Sequence, residues 1–344
     1  MSKRVEGKSR SVGSAEAGVV PNGTGLKLVS TSGFVIDATT SAEDVLLQEF
    51  YSDYDRAFVL ENEKEGYDGF VECLRLNDGD QYDDLVRRYG PFREFVIVVR
   101  DAATRARMAG ANFIIFPLSP KNSTKQTHSL ALSMNLNYVF VNPEFRRHGI
   151  FRQLVGDLPD IAYRLFAETN APDLPEKWRD AAAKRASMPQ IYMFIEQNDP
   201  FRMSTEDYER DTKLTGLDQV VRIDLWSRLG AKIVDFPYVQ PPLSKDQAAD
   251  QTLAYAVLGA PDASLDACLL RAHLERFFGI SVLKGADLSL EPTAAAQLSE
   301  LSVACTNGRR LPLLDASTSM MGSTLADHSA NRPATLREAL RRTQ

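Results

Sequence analysis

The chain has 344 residues, of which 44% are hydrophobic and 25% charged, and its formal net charge is −6. These values exclude wholesale disorder, collagen and coiled coil, and no apolar run approaches the roughly 18 residues of a membrane helix. The negative charge also argues against a general nucleic-acid binder, which needs a basic face. We therefore expect a globular protein with no nucleic-acid or membrane partner.

Residues 1–26 are expected to form an unstructured N-terminal tail. They combine four basic residues with many Ser and Gly and lack the apolar segment of a secretory signal. An organellar presequence is the alternative, although Glu6 and Glu16 interrupt its basic character. The cytoplasm is the default compartment.

Cysteine and histidine spacing gives no sign of a metal site. Cys73, Cys268 and Cys305 are widely spaced and odd in number, so neither a disulfide framework nor a zinc pattern can be built from them. The four histidines form no H-x-x-x-H pair. We therefore predict no metal and three unpaired thiols in a reducing compartment.

The first predicted elements are one helix and three strands. Residues 42–60 carry a helical stripe made of Val45, Leu46, Phe50, Tyr54 and Phe58. Ser41 or Thr40 could cap this helix. Strand-like segments follow at 93–101, 106–119 and 128–141. Their short connections favour an antiparallel meander.

The apolar period changes from strand-like to helical at Gly149. Ile150, Leu154, Val155 and Leu158 would share one helix face, and Pro159 must kink or restart that helix. The later predicted elements are a strand at 189–198, a charged loop at 199–216, a helix at 217–229 ended by Gly230, strands at 231–240 and 253–259, helices at 264–279 and 293–304, a flexible segment at 315–335 and a short exposed helix in the final LREALRRTQ.

One stretch, NYVFVNPEFRRHGIFRQLV (137–155), combines a strand end, a basic turn and a helix start. The backbone N–H groups of a helix N-terminus converge on one point and favour an anion there. Arg146, Arg147 and Arg152 add fixed charge, and Gly149 permits close approach of a ligand to the backbone. The pattern predicts a phosphate-binding turn.

This stretch resembles the coenzyme A-binding segment of the GNAT acetyltransferase superfamily, which reads Arg/Gln-x-x-Gly-x-Gly/Ala after a strand ending in Val-x-Pro-Glu. The matching residues are Val141, Pro143, Glu144, Arg146 and Gly149, and Phe151 replaces the last small residue. The order of elements agrees over about residues 34–260. Two later landmarks also agree, namely Asn198 at a strand end and the helix end Arg228-Leu229-Gly230-Ala231.

The resemblance implies a GNAT-like α/β domain over 27–260, with a mixed, mainly antiparallel central sheet and helices on both faces. A helical C-terminal extension (261–314) and a flexible tail (315–344) would follow. It implies acetyl-CoA or another acyl-CoA as co-substrate, bound where strands 128–141 and 189–198 splay apart. The cofactor-binding residues would be Val139, Val141, Arg146, Arg147, His148, Gly149, Ile150, Phe151 and Asn198.

The implied reaction is direct attack of an amine, on a small molecule or a peptide, on the thioester. Backbone donors near Val139–Val141 would polarise the thioester carbonyl. Two positions depart from the family, because Asn135 replaces a frequent Glu base and Trp226 replaces a frequent Tyr acid. Neither side chain can exchange the required proton. Glu196 is therefore the candidate base and Tyr238 the candidate acid.

Strand alternation places Glu196 on the side of Tyr192 and Phe194, opposite Ile191, Met193 and Ile195. A carboxylate partly desolvated there should have a raised pKa. A solvated strand-end glutamate and a core-lining Tyr238 are the structural alternatives. The functional alternatives are a catalytically silent acyl-CoA-binding module and transfer involving a carrier-protein pantetheine. The sequence leaves open the acceptor, the acyl length, the oligomeric state and the role of 261–344.

Overall fold

The computed structural model describes residues 20–22, 25–58, 64–118, 131–170, 189–244, 247–316 and 333–343. Its strands are β1 (Val20–Asn22), β2 (Gly25–Val29), β3 (Val35–Thr39), β4 (Arg93–Arg100), β5 (Arg107–Leu118), β6 (Ala131–Val141), β7 (Gln190–Asn198), β8 (Lys232–Val234), β9 (Leu253–Leu258), β10 (Ser264–Asp266) and β11 (Arg310–Leu314). Its helices are α1 (Val45–Ala57), α2 (Tyr67–Arg75), α3 (Gly79–Tyr89), α4 (Ile150–Thr169), α5 (Thr205–Thr215), α6 (Gln219–Arg228), α7 (Ala267–Phe277), α8 (Pro292–Thr306) and α9 (Leu336–Arg341). None of the helices in these ranges has the length and apolarity needed to cross a membrane.

The described strands form one sheet in the order β1-β2-β3-β4-β5-β6-β7-β9-β8-β11-β10. Strands β4, β5 and β6 form the predicted antiparallel meander. Strands β6 and β7 are parallel, and the long α4 lies between them in sequence. Neighbours elsewhere in the sheet are antiparallel. The predicted mixed, mainly antiparallel α/β fold is confirmed.

Alternation along the strands gives the sheet two apolar faces. Ile191, Met193 and Ile195 belong to the core beneath α4, α6 and α9, which we call the α4 face. Phe194 belongs to the opposite core beneath α7 and α8, and α1 and α2 cover the neighbouring strands on that side. We call this side the α7 face. Helices therefore cover both faces, and the predicted alternation of strand 189–198 is confirmed.

Two local predictions are wrong, and a third is wrong in one of its two alternatives. Asp44, rather than Ser41 or Thr40, caps α1 by accepting a hydrogen bond from Leu46 N at 2.9 Å. Helix α4 does not restart at Pro159, because buried side chains before and after the proline hold one continuous helix against the sheet, whereas a kink at Pro159 stays a prediction. The expected strand at 231–240 ends at Val234, and the chain then turns sharply, with Phe236 N donating to Val234 O.

The expected charged loop at 199–216 contains helix α5. Ser204 caps this helix by accepting from Asp207 N at 3.0 Å. Ion pairs such as Glu206–Arg210 stabilise its exposed side. The segment was predicted as a loop because it is rich in charged residues and has no apolar stripe at helical spacing.

The two ends of the chain carry more structure than the predicted tails allow. Strands β1 and β2 begin inside the segment expected to be unstructured, whereas residues 1–19 and 23–24 lie outside the described residues. The extension after residue 260 contributes β10 and β11 as well as helices. Most of the expected flexible segment, 317–332, lies outside the described residues. The domain boundary at residue 260 stays a prediction.

The expected exposed helix at the C-terminus is instead packed on the sheet. Leu336, Ala339 and Leu340 of α9 are buried. The backbone N–H of Leu336 donates to the carboxylate of Asp199 at 2.9 Å, and Arg341 pairs with Asp235. These contacts tie the chain end to the α4 face.

We expect Leu340→Ala to lower the free energy of unfolding by about 2–5 kcal/mol, because Leu340 is 1% exposed and its loss leaves a cavity. Urea unfolding monitored by circular dichroism measures the change. The control is Leu290→Ala, where the leucine is 80% exposed and little effect is expected. Equal stability of both variants would show that α9 is a dispensable tail.

A disulfide joins Cys268 in α7 to Cys305 in α8. The expectation of three unpaired thiols is therefore wrong for this pair. Helices α7 and α8 bring the two Cα atoms to 4.6 Å across a sequence separation of 37 residues, which spacing alone does not reveal. Cys73 is free and buried, as expected. The cytoplasmic location stays a prediction.

Candidate functional site

Strands β6 and β7 separate before either strand ends. Their parallel pairing stops at Leu136↔Ile195. Beyond that point β6 pairs only with β5, and β7 pairs only with β9. The register of β6 also shifts between Leu136 and Tyr138, which leaves Asn137 in a bulge. The result is a gap in the middle of the sheet, and we call it the central gap.

Two predicted cofactor residues border the central gap. Asn142 N donates to Met108 O at 2.8 Å, toward β5. Because backbone groups alternate in direction along a strand, the N–H groups of Val139 and Val141 face away from β5 and into the gap. The carbonyl of Val141 accepts from Arg146 Nε at 3.1 Å. The expected backbone donors are therefore correctly oriented for a ligand between the strands.

The basic turn lies between the end of β6 and the start of α4. Arg147 and Gly149 both have left-handed backbone conformations, with φ of +67° and +79°. Gly149 occupies the N-cap position, where no side chain caps the helix. A Cβ at Gly149 would meet nothing within 4 Å, so this N-terminus opens to space. Its unsatisfied N–H groups and dipole make it suited to a phosphate.

The basic residues of the turn divide into two groups. Arg146 is partly engaged within the protein, because its Nη1 also donates to Thr215 O at 3.2 Å. Arg147, His148 and Arg152 are exposed around the turn. His148 Nδ1 lies 3.3 Å from Phe145 O. Several positive groups therefore stand beside the uncapped helix end, although Arg146 also fixes the turn to the strand.

The substitution of Phe151 for the family's small residue leaves the turn open. Its ring packs edge-to-face on Trp226, with ring centroids 5.0 Å apart. Ile150 is buried in the α4-face core. Both predicted residues therefore attach the start of α4 to the protein, whereas the backbone of the turn stays accessible.

A cavity of about 160 Å³ occupies the central gap. Asn137 and Tyr138 of β6 line one side, and Glu196, Gln197 and Asn198 of β7 line the other. From the α4 face it is lined by Arg222 and Trp226, and from the α7 face by Phe70, Cys73, Phe277 and Ser281. The cavity therefore passes through the sheet and joins its two faces.

The structure brings the two predicted catalytic residues together. The hydroxyl of Tyr238 donates to Oε1 of Glu196. Burial raises the pKa of Glu196 to about 7, and the Tyr238 hydrogen bond partly opposes that rise. Burial and the nearby Glu196 carboxylate raise the pKa of Tyr238 well above its usual value. Glu196 lines the cavity and Tyr238 stands behind it, so Tyr238 is suited to position Glu196 rather than to meet a ligand.

A second buried carboxylate, Glu94, lies behind the cavity wall. Its Oε1 accepts from Asn112 Nδ2 at 3.0 Å and from Asn137 Nδ2 at 2.9 Å, and its Oε2 accepts from Ser281 Oγ at 2.8 Å. Burial raises the pKa of Glu94 to about 7. Since Asn137 is the bulged residue, this carboxylate fixes the point at which β6 leaves β7.

A buried hydrogen-bond chain leads from Ser133 to Glu94. Tyr255 Oη donates to Asn135 Oδ1 at 2.6 Å, and Asn135 Nδ2 donates to Asn137 Oδ1 at 2.9 Å. Because the Tyr255 proton is used in this way, its oxygen accepts from His273 Nε2, and His273 Nδ1 accepts from Ser133 Oγ, both at 2.6 Å. Every donor in the chain points toward Glu94.

We expect Glu94→Gln to flatten the pH dependence of stability. The folded-state pKa of Glu94 is raised from 4.5 to about 7. The contribution of Glu94 to the free energy of unfolding is therefore fully present below about pH 4.5 and is lost as the pH rises through 7. The loss between pH 4.5 and 8 amounts to roughly 3 kcal/mol for this group. Urea unfolding at pH 5 and pH 8 compares the variant with the wild type and with exposed Glu300→Gln. An unchanged pH slope in Glu94→Gln would contradict the assignment.

Several residues that line the site were not singled out from the sequence. Tyr138 borders the cavity, packs on Tyr54 and Phe70, and has a pKa raised by burial. Glu94, Asn137 and Gln197 were also missed. The available signal was the presence of polar residues inside otherwise apolar strands, where Asn and Glu are depleted. Asn135, which replaces the family's usual base, is fully buried and accepts the Tyr255 hydrogen bond.

No family model matches the chain, and no curated protein matches it. Among solved structures it matches Arabidopsis thaliana NAA60 in complex with acetyl-CoA, at 10% identity and a TM-score of 0.30, over 65% of this chain and 99% of that one. It also matches histone acetyltransferase HPA2 and related acetyltransferase from Corynebacterium glutamicum, at 13% identity and a TM-score of 0.27, over 64% and 94%.

A structure described as a putative GnaT-family acetyltransferase from Bordetella pertussis matches at 9% identity with a TM-score of 0.25, over 70% of this chain and 98% of that one. With identities and TM-scores this low, neither a family nor an activity follows from these matches. The features used below are therefore those of this chain itself, namely the central gap, the uncapped α4 and the cavity between β6 and β7.

Proposed function

We propose that this protein is an acyl-CoA-dependent N-acyltransferase that transfers an acyl group, most simply acetyl, to an amine. The observation that carries the proposal is the separation of β6 and β7 beyond Leu136↔Ile195, directly before the uncapped, basic N-terminus of α4. An elongated ligand with a phosphate group at one end and an uncharged arm at the other suits this arrangement. Acyl-CoA has that form, and it supplies an electrophilic thioester carbonyl.

The proposed proton acceptor is Glu196. An amine must be neutral to attack a thioester, so its proton must move to a base as the C–N bond forms. Burial raises the pKa of Glu196 to about 7, which suits a base that works near neutral pH. Within the described residues, no basic side chain forms an ion pair with Glu196, whereas Arg222 is paired with Asp211 at 2.7 Å and Lys284 with Glu65 at 3.2 Å.

The remaining steps use the backbone of β6 and the wall of the cavity. The gap-facing N–H groups of Val139 and Val141 would stabilise the negative charge that develops on the thioester oxygen. As the C–S bond breaks, the departing thiolate takes up a proton. Tyr138 lines the cavity on the β6 side and is the candidate donor, since Tyr238 is occupied by Glu196. The proton that Glu196 took from the amine would return through solvent to Tyr138, which restores both side chains. The products are an amide and free CoA.

Direct attack requires no acyl-enzyme intermediate. Cys73 is the one free thiol in the cavity wall of the described residues, and burial raises its pKa well above the usual value. A buried thiol that stays protonated is a poor nucleophile. The amine itself is therefore the nucleophile in the proposed reaction.

The test is a measurement of CoA binding by calorimetry together with release of free thiol from acetyl-CoA in the presence of a panel of amines. Micromolar binding and amine-dependent thiol release would support the proposal. Binding with no release on any amine would favour a catalytically silent acyl-CoA module. Release only on addition of an acyl carrier protein would favour the carrier-pantetheine alternative. Absence of CoA binding would overturn the proposal.

A further inference from the structure

A second cavity, of about 320 Å³, lies between α8, β11 and the C-terminal helix α9. It shares no lining residue with the cavity of the central gap. Part of its wall is apolar and buried, and consists of Phe236, Leu301, Ala304 and Leu311. The charged lining residues are Arg309, Arg337, Arg341, Asp235 and Glu300. The proposed acyl transfer uses none of these residues.

One carboxylate of this second cavity is shared unequally by two arginines. Arg341 binds both oxygens of Asp235, with Nε donating to Oδ2 at 2.7 Å and Nη2 donating to Oδ1. Arg337 makes a single long contact with the same group, 3.5 Å from Nη1 to Oδ1, although its side chain is only 17% exposed. Burial lowers the pKa of Arg337, and Asp235 only partly opposes that effect. Most donors of the Arg337 guanidinium therefore meet no acceptor in the described part of the chain.

The charges of the second cavity leave a positive excess. Arg309 and Glu300 are exposed, and neither side chain forms a hydrogen bond or an ion pair within the described ranges. Arg341 and Asp235 neutralise each other, so the guanidinium groups of Arg309 and Arg337 stand against the one carboxylate of Glu300. The excess of one positive charge is suited to a ligand with a single negative charge.

We propose that the second cavity binds a small organic acid, whose carboxylate is held by Arg337 and Arg309 and whose apolar body lies on the buried wall. A guanidinium presents its N–H groups in a fork that matches the two oxygens of a carboxylate. The apolar side chains would contact a hydrocarbon portion, which inorganic phosphate lacks. Because the two cavities share no lining residue, the proposal stands independently of acyl transfer.

The first test compares hexanoate, hexanamide and inorganic phosphate in ligand-observed NMR titrations of the full-length protein. Hexanoate has a carboxylate and an apolar body, hexanamide has the same chain without the charge, and phosphate has charge without a chain. Hexanoate should bind about tenfold more tightly than either of the others, because charge-assisted hydrogen bonds and apolar contact act together. Absence of hexanoate binding would overturn the proposal, and so would hexanamide or phosphate binding as tight as that of hexanoate.

The second test uses variants to locate the bound hexanoate. Arg337→Met and Arg309→Met each remove a guanidinium and keep an unbranched side chain, so each should weaken hexanoate binding about tenfold. Glu300→Gln should strengthen it, because the substitution removes a negative charge from the cavity. Arg309 and Glu300 are exposed, so these two variants should fold even if the change in α9 prevents folding of Arg337→Met.

The matched control is Arg87→Met. Arg87 is a 70% exposed arginine of α3 that does not line the second cavity, and its loss changes the net charge of the protein equally. Hexanoate should bind this variant as tightly as the wild type, and circular dichroism checks that each variant is folded. Unchanged hexanoate affinity in Arg309→Met, or equal weakening in Arg87→Met, would overturn the proposal.

Discussion

The substitution Glu196→Gln is expected to lower kcat by about 100-fold or more at pH 8, with little change in the affinity for CoA. Glutamine preserves the shape of the side chain and can still accept the Tyr238 hydrogen bond, but it cannot take a proton from the amine. In the wild type the rate should rise with pH through about 7, because Glu196 acts only when it is deprotonated. In the variant, kcat should not rise with pH in this range.

Tyr238→Phe provides a second variant that leaves the carboxylate in place. The Tyr238 hydrogen bond lowers the pKa of Glu196. Removing this hydrogen bond should therefore shift the increase of kcat with pH to a higher pH. The plateau of kcat at high pH should be nearly retained. Steady-state rates between pH 6 and 9 with acetyl-CoA and a saturating amine measure both effects. Full kcat in Glu196→Gln at every pH would assign Glu196 a structural role.

The substitution Gly149→Asp is expected to weaken CoA binding by more than tenfold. Its carboxylate would stand at the N-terminus of α4, where the N–H groups and the dipole would otherwise meet a phosphate. The side chain would enter open space, and Asp tolerates the left-handed backbone better than most residues, so folding should survive. Calorimetry with CoA gives the affinity.

Gly308→Asp is the control for that variant. Gly308 also has a positive φ, of +63°, and open space around its Cβ position, and it lies after α8, away from the cavity. The two variants therefore introduce the same charge at a glycine with a left-handed backbone conformation. CoA affinity should fall only in Gly149→Asp. An equal affinity in both would remove the phosphate turn from the proposed site.

The strands and the turn that precedes α4 could be predicted because their signals are local. Residues 93–141 alternate or run apolar between short loops, and the change of period at Gly149 marks the start of α4. The faces of β7 also follow from alternation alone, which is why Glu196 could be placed near the gap. Helix α5 escaped prediction because its charged surface contributes no apolar stripe.

The polar wall of the site could not be predicted, because it depends on contacts between distant segments. Glu94 and Ser281 are separated by 187 residues, and Tyr255 and Asn135 by 120. No periodicity links such pairs, and each looks like an ordinary interruption of an apolar segment. The partnership of Tyr238 with Glu196 was likewise hidden, since the turns after Val234 decide where Tyr238 points. The positions of these polar side chains are therefore set by tertiary packing and cannot be read from the local sequence pattern.

The short pairing of β6 with β7 is the one place where two parts of the described sheet are joined by strand pairing. Six residue pairs, from Ala131↔Gln190 to Leu136↔Ile195, form the seam between a leaf made of β1–β6 and a leaf made of the other strands. Beyond the last of these pairs, the two leaves separate. A molecule bound in the central gap would contact both leaves and connect them where the backbone hydrogen bonds have ended. A bound ligand should therefore reduce the motion of one leaf relative to the other.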